Sequence, residues 1–183
     1  MAGKLYRSNH PTPGQLAHAH HHVSLRTVIN LRGEKPNASN VLSLATATRL
    51  NLQHEFLAFE SRGAPHRDRV LRYHDLYQTI AFPALVHCKS GADRAGLASG
   101  LAILFEGGTA KDALNQLSWR FGHVRHSATG ILDAFFINYA KEAEGRIAFL
   151  DWIQTEYDEV ELKARFVATG LASFVNDRLL VRE

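Results

Sequence analysis

Cysteine is nearly absent from this chain: Cys88 stands alone among 183 residues. A single thiol excludes an intramolecular disulfide and any zinc site built on several thiolates. Long apolar runs are missing too, since no stretch reaches the roughly 18 to 20 residues that span a bilayer. The opening MAGKLYRSNHPTPG lacks the apolar run of a secretory signal. These absences set the expectation of a cytoplasmic protein. There is no internal repeat, low-complexity tract or long linker. Charge of one sign is also scarce, because 21 Lys plus Arg against 18 Asp plus Glu leave a formal net charge of +3. That is too mild to point to nucleic acid. What remains is ordinary for one globular domain, with 45% hydrophobic and 21% charged residues. Many of the positive residues are arginines, whose planar fork suits two-point contact with phosphate.

Short β-branched apolar runs alternate with helical ones, which predicts an α/β domain. Strands are expected at residues 26–31 and 84–87, with a weaker one over 52–59 and a short one near Leu5 and Tyr6. Thr12-Pro13 opens a helix running to about His22. Ser39 or Asn40 is the expected cap of a second, ending near Leu50. A third follows Pro65, where Val70, Leu71, Tyr73, His74 and Tyr77 recur at helical spacing. Such alternation predicts a mostly parallel sheet of four to five strands with helices on both faces. From Ala95 onward the pattern is helical: 95–106, stopped by Gly107-Gly108, then 111–120 and 127–141. The chain divides into a domain over 1–144 and a helical extension over 145–183 packed on it, with Phe149, Trp152 and Tyr157 as anchors.

The segment Val86-His87-Cys88-Lys89-Ser90-Gly91-Ala92-Asp93-Arg94-Ala95-Gly96 leaves an apolar strand and enters an apolar helix. A tight loop at a helix start turns consecutive N–H groups toward an anion, backed by the helix dipole. His87, Lys89, Ser90, Gly91 and Ala92 are thus the expected substrate cradle. Gly91 permits backbone angles that a side chain resists, and Arg94 can hold two phosphate oxygens. The same positive environment favours the thiolate of Cys88, a nucleophile suited to attack on phosphorus.

With its H-C-x5-R loop in a strand–loop–helix setting, the chain resembles the cysteine-based protein tyrosine phosphatase superfamily, in particular its compact dual-specificity-like branch. The resemblance covers about residues 5–140. It extends to Tyr6-Arg7-Ser8 before Pro11, to Val28-Ile29-Asn30-Leu31-Arg32, and to the stretch from Gln116 to His126, and the loop itself is similar to bacterial members reading H-C-K-S-G-A-D-R. It implies phosphomonoester hydrolysis through a cysteinyl-phosphate, with no cofactor. Two positions depart from the pattern. Relatives carry Ser or Thr after the loop arginine to assist thiolate release, and here Ala95 stands there, with Ser99 or Ser90 as substitutes. Relatives also place an aspartate general acid about thirty residues before the cysteine. That region reads Phe59-Glu60-Ser61-Arg62-Gly63-Ala64-Pro65 and has none. Asp93 inside the loop is the favoured acid, as in superfamily members acting on phosphoinositides, and Glu60 is the alternative.

Among other residues, His87 is expected to orient the loop rather than transfer protons. Lys89 is either a second substrate contact or an ordinary solvated lysine. Arg32 sits at a strand's C-terminal end, where parallel sheets bind ligands, and Arg62, His66 and Arg67 lie where a lid would sit. In the stretch Trp119 to His126, His123 and Arg125 are the expected contacts. His18, His20, His21 and His22 are read as exposed helix residues and not as a metal site. The expected partner is a phosphorylated substrate, without nucleic acid or a transmembrane segment, and peripheral membrane contact stays open. The missing upstream aspartate and the arginines favour a phosphoinositide, phosphorylated lipid or glycolipid over protein phosphotyrosine. The rival readings are a phosphate-binding module without turnover and, more distantly, a sulfurtransferase.

Overall fold

A computed structural model describes residues 3–168. Four strands, β1 (Leu5–Ser8), β2 (Thr27–Asn30), β3 (Gln53–Phe56) and β4 (Ala84–His87), form one sheet in the order β1-β4-β2-β3. Every neighbouring pair is parallel. The connections are helical, as parallel pairs require: α1 (Pro13–Val23), α2 (Ala38–Arg49) and α3 (Arg67–Thr79). After the sheet come α4 (Asp93–Phe105), α5 (Ala110–Leu114), α6 (Ile131–Glu142) and α7 (Phe149–Thr155).

The sheet buries both faces, so its central strands β2 and β4 are buried along their whole length. Alternate residues go opposite ways. Val28 and Leu85 join Leu16, Leu25, Ala47 and Leu52 in a small core with α1 and α2. Ile29, Ala84 and Val86 join Tyr73, Leu97, Leu101, Phe135 and Trp152 in the larger one. The register aligns Ser8 and Asn30 with His87 on either side. The loop that follows His87 therefore leaves the sheet between the ends of β1 and β2, where open parallel sheets bind ligands.

Boundaries moved for local reasons. The cap of α2 is Asn37, not Ser39 or Asn40, because its side chain accepts from the Asn40 N–H. Helix α4 begins at Asp93, two residues before the expected start, which puts Asp93 and Arg94 in its first turn. The helix expected over 111–120 ends at Leu114. The Gln116 carbonyl is taken by Arg7 instead of continuing the helix, and a short 3-10 turn follows at Trp119–Phe121. The helix expected from Ser127 likewise opens as a 3-10 turn before α6.

The described part of the extension joins the larger core through Phe149, Trp152, Ile153, Tyr157 and Leu162. Helical backbone resumes over 159–168, and residues 169–183 of the extension lie outside the described residues.

Candidate active site

The loop after β4 is shaped around Cys88. The thiol is buried at 2% exposure, and the Gly91 N–H donates to its Sγ at 3.2 Å. Gly91 has φ +79°, and a Cβ there would lie 2.8 Å from both the Asn9 nitrogen and the Ser8 carbonyl carbon. Glycine is thus required twice, for conformation and for the close approach of β1. The residue before α4 is Ala92, which offers no capping side chain. The first N–H groups of the helix are left for something else to satisfy. Arg94 follows in the first turn, its Nε buried without a hydrogen-bond partner. A buried guanidinium nitrogen with nothing to donate to is costly unless a ligand completes it.

Arg7 holds this loop from behind. Its Nη2 donates to the Gly91 carbonyl at 2.6 Å and the Ala92 carbonyl at 3.0 Å, and its Nη1 donates to the Gln116 carbonyl at 2.9 Å. With these carbonyls drawn to β1, the loop's amides are free to face the other way. The guanidinium stacks on Phe121, 4.1 Å from the ring centroid. Burial pulls its pKa down, while the charges of Cys88 and Asp93 push it up. Gly96 completes the packing, since a Cβ there would meet the Gln116 carbonyl oxygen at 2.8 Å. In the sequence Arg7 stood out only within Tyr6-Arg7-Ser8, a stretch that carries the family resemblance, and this grip was not foreseen.

Asp93, itself partly exposed, ends a chain of three residues whose other two are buried. Its Oδ1 lies 2.8 Å from His123 Nδ1, and His123 Nε2 lies 2.6 Å from Asp133 Oδ2 on α6. His123 and Asp133 are each 3% exposed. A ring with a carboxylate at each nitrogen must donate to both as the imidazolium, or one of the carboxyls must be protonated. Arg125 approaches the other oxygen of Asp133 at 3.6 Å from the solvent side. Asp133 was not foreseen, although an aspartate within the apolar run Ile131-Leu132-Asp133-Ala134-Phe135-Phe136 was a signal for it.

The remaining predicted residues divide. His87 is fully buried beneath the loop, its carbonyl accepting from the Leu31 N–H at 2.9 Å. Burial pushes its pKa down to about 3, so the ring is neutral and holds shape. Arg32 stands just beyond β2 and bonds Ser39 Oγ through Nη1. Lys89 and Ser90 are exposed at the loop's crest. Glu60 is held by Arg69 and lies 3.7 Å from His66. Arg62 is exposed, and no hydrogen bond or ion pair among the described residues links it or Glu60 to the 88–94 loop. Arg67 and His66 engage the extension instead, at the Tyr157 carbonyl and the Glu159 carboxylate. Trp119 is 82% exposed, and Phe121 and Val124 in the same stretch are exposed as well. His20 and His22 bond the backbone carbonyls of Leu25 and His18.

The fold is similar to solved phosphatase structures. TpbA of P. aeruginosa aligns at 20% identity over 82% of this chain and 88% of its own, with a TM-score of 0.63. The core catalytic domain of the PP-IP phosphatase SIW14 of S. cerevisiae aligns at 19% over 90% and 86%, with 0.53. PTPMT1 aligns at 12% over 78% and 96%, with 0.55. A comparison with curated proteins finds no match. Residues 3–128 match the family PTP-SAK, described as Swiss Army Knife protein, DSP-PTPase phosphatase domain. The match spans most of the chain and the whole loop from Cys88 to Arg94, and the chain belongs to this family of dual-specificity-type phosphatase domains.

Proposed function

We propose that the protein hydrolyses phosphomonoesters through a cysteinyl-phosphate on Cys88. The observation that carries this reading is the Gly91 N–H on Cys88 Sγ at 3.2 Å beside the unpartnered Nε of Arg94. An amide directed at sulfur stabilises the thiolate, and Arg94 with the uncapped start of α4 neutralises the transferring phosphoryl group. Asp93 protonates the leaving oxygen. Glu60 is the less suited acid, because Arg69 holds its carboxylate in an ion pair.

The preferred substrate in this reading is a multiply charged phosphate on a lipid or inositol. Lys89 at the loop's crest, Arg32 just beyond β2 and Arg125 near Asp133 are the positive charges that additional phosphates would meet, and Trp119 offers exposed apolar contact. Structural neighbours bind both kinds of ligand: TpbA has been crystallised in complex with phosphotyrosine and PTPMT1 in complex with PI(5)P. Protein phosphotyrosine is the second reading, favoured by the exposed Trp119 as a stacking partner for an aryl ring.

The test is phosphate release by wild-type and Cys88→Ser proteins on an aryl phosphate, phosphotyrosine peptides, phosphoinositides and phosphorylated glycolipids. The expected result is release that Cys88→Ser abolishes while vanadate binding survives, with phosphoinositides turned over fastest. Full activity in Cys88→Ser would end the mechanism. No release from any substrate by folded protein that still binds vanadate would leave a phosphate-binding module.

A further inference from the structure

His123 and Asp133 lie far from the loop in sequence, yet they form a buried line ending on Asp93. We infer that this pair positions Asp93 as the general acid, holding Oδ1 so that Oδ2 is the oxygen presented to the leaving group. The inference deepens the function proposed above and rests on it. Its geometry resembles the logic by which a buried carboxylate fixes an imidazole and the imidazole serves a third group. Asp133 occupies Nε2 at 2.6 Å, which leaves Nδ1 to face Asp93 at 2.8 Å. Among the described residues Oδ2 of Asp93 makes no hydrogen bond, while Oδ1 is held by His123.

Cys88 thiolate forms the S–P bond as the ester P–O bond breaks, and the departing oxygen keeps that electron pair and takes the proton from Asp93 Oδ2. Asp93 is left as a carboxylate, its new charge met at Oδ1 by the Nδ1–H of His123. Water then attacks phosphorus and gives its proton back to Asp93 Oδ2, while the S–P pair returns to sulfur. Charges near this line include Arg94, next to Asp93 in the chain, Arg7, whose charge interacts with Asp93, and Arg125, which approaches Asp133 from solvent. The contacts within the line are direct, at 2.8 and 2.6 Å. His123 and Asp133 touch no substrate in this scheme and act through Asp93.

The distinguishing readout is leaving-group dependence. A nitrophenolate departs without a proton, whereas an alkoxide needs one, and a general acid supplies about 100- to 10,000-fold. Asp93→Asn, His123→Asn and Asp133→Asn are each compared on p-nitrophenyl phosphate and on an alkyl phosphate. For all three, kcat/KM on the alkyl ester is expected to fall at least about tenfold more than on the aryl ester. Equal losses on both esters in the His123 and Asp133 variants, with Asp93→Asn still selective, would overturn the positioning role and leave the acid standing. Equal losses in Asp93→Asn would overturn the acid assignment itself, and turnover in Cys88→Ser would overturn the mechanism beneath both. Should His123→Asn fail to fold, proton NMR of the wild-type enzyme decides. Two far-downfield hydrogen-bonded protons on the His123 ring line are expected, and a ring exchanging freely with solvent overturns the inference.

Discussion

Ala95 is fully buried directly behind Arg94, at the position where a hydroxyl would help the thiolate leave. Neither expected substitute is well placed for that task. Ser99 spends its hydroxyl on the Ala95 carbonyl at 2.8 Å, and Ser90 Oγ accepts from the Ala92 N–H at 3.4 Å at the exposed crest. Breakdown of the intermediate is therefore the slow step in this account. Ala95→Ser adds one donor toward sulfur, and a hydrogen bond to a charged group is worth about 1.5 kcal/mol or more. That predicts a kcat about tenfold higher with kcat/KM within about twofold, because phosphoryl transfer to Cys88 comes first. Rapid-mixing kinetics would show the burst of aryl alcohol shrinking. An unchanged kcat and burst would place the slow step elsewhere. Cys88, Gly91, Asp93 and Arg94 were legible in the sequence because one contiguous loop carries them. Arg7, His123 and Asp133 were not, since the fold brings Arg7 to Gly91 across 84 residues and His123 to Asp93 across 30, with Asp133 supplied from α6.

At the scale of elements, the extension acts on the segment that carries the acid in relatives. Tyr157 is fully buried and donates its hydroxyl to the Pro65 carbonyl at 2.7 Å. Arg67 donates back to the Tyr157 carbonyl, and His66 meets Glu159 at 3.3 Å. The 59–66 segment is thereby pinned to the core, which fits an enzyme whose acid sits in the loop after β4 and not on a closing lid. Tyr157→Phe leaves the Pro65 carbonyl unsatisfied at a cost of about 1–3 kcal/mol. A Tm lower by roughly 2–10 °C is expected for a domain of this size, and calorimetry checks it. An unchanged Tm would show that the bond contributes nothing. The strands and most helices were legible because period and capping are local signals. Helix α1 opens at Thr12-Pro13 as expected, and Thr12 and Gln15 complete a capping box there. The shortened α5 was not legible, because its end is set by Arg7 across 109 residues.

For the whole molecule, burial of histidine ties stability to pH. His87 is held neutral with a pKa lowered from 6.5 to about 3, chiefly by burial and then by His10. His10 and His54 are lowered as well, again first by burial. The unfolded chain binds protons below about pH 6.5 that the folded chain refuses, so stability is complete above that pH and falls on acidification. His87 alone predicts a loss of about 2 kcal/mol at pH 5. Urea denaturation at pH 7 and pH 5 measures it, and His87→Gln should flatten the slope. Greater stability at pH 5 would contradict the account.

The proposed mechanism turns on a covalent phosphoryl group on Cys88. The most direct measurement is rapid acid quenching of wild-type enzyme during turnover of an aryl phosphate, followed by peptide mass spectrometry. One added phosphoryl group is expected on the peptide containing Cys88, accumulating because Ala95 slows its release and absent from Cys88→Ser. Turnover without any phosphorylated Cys88, at quench times that resolve the burst, would contradict it.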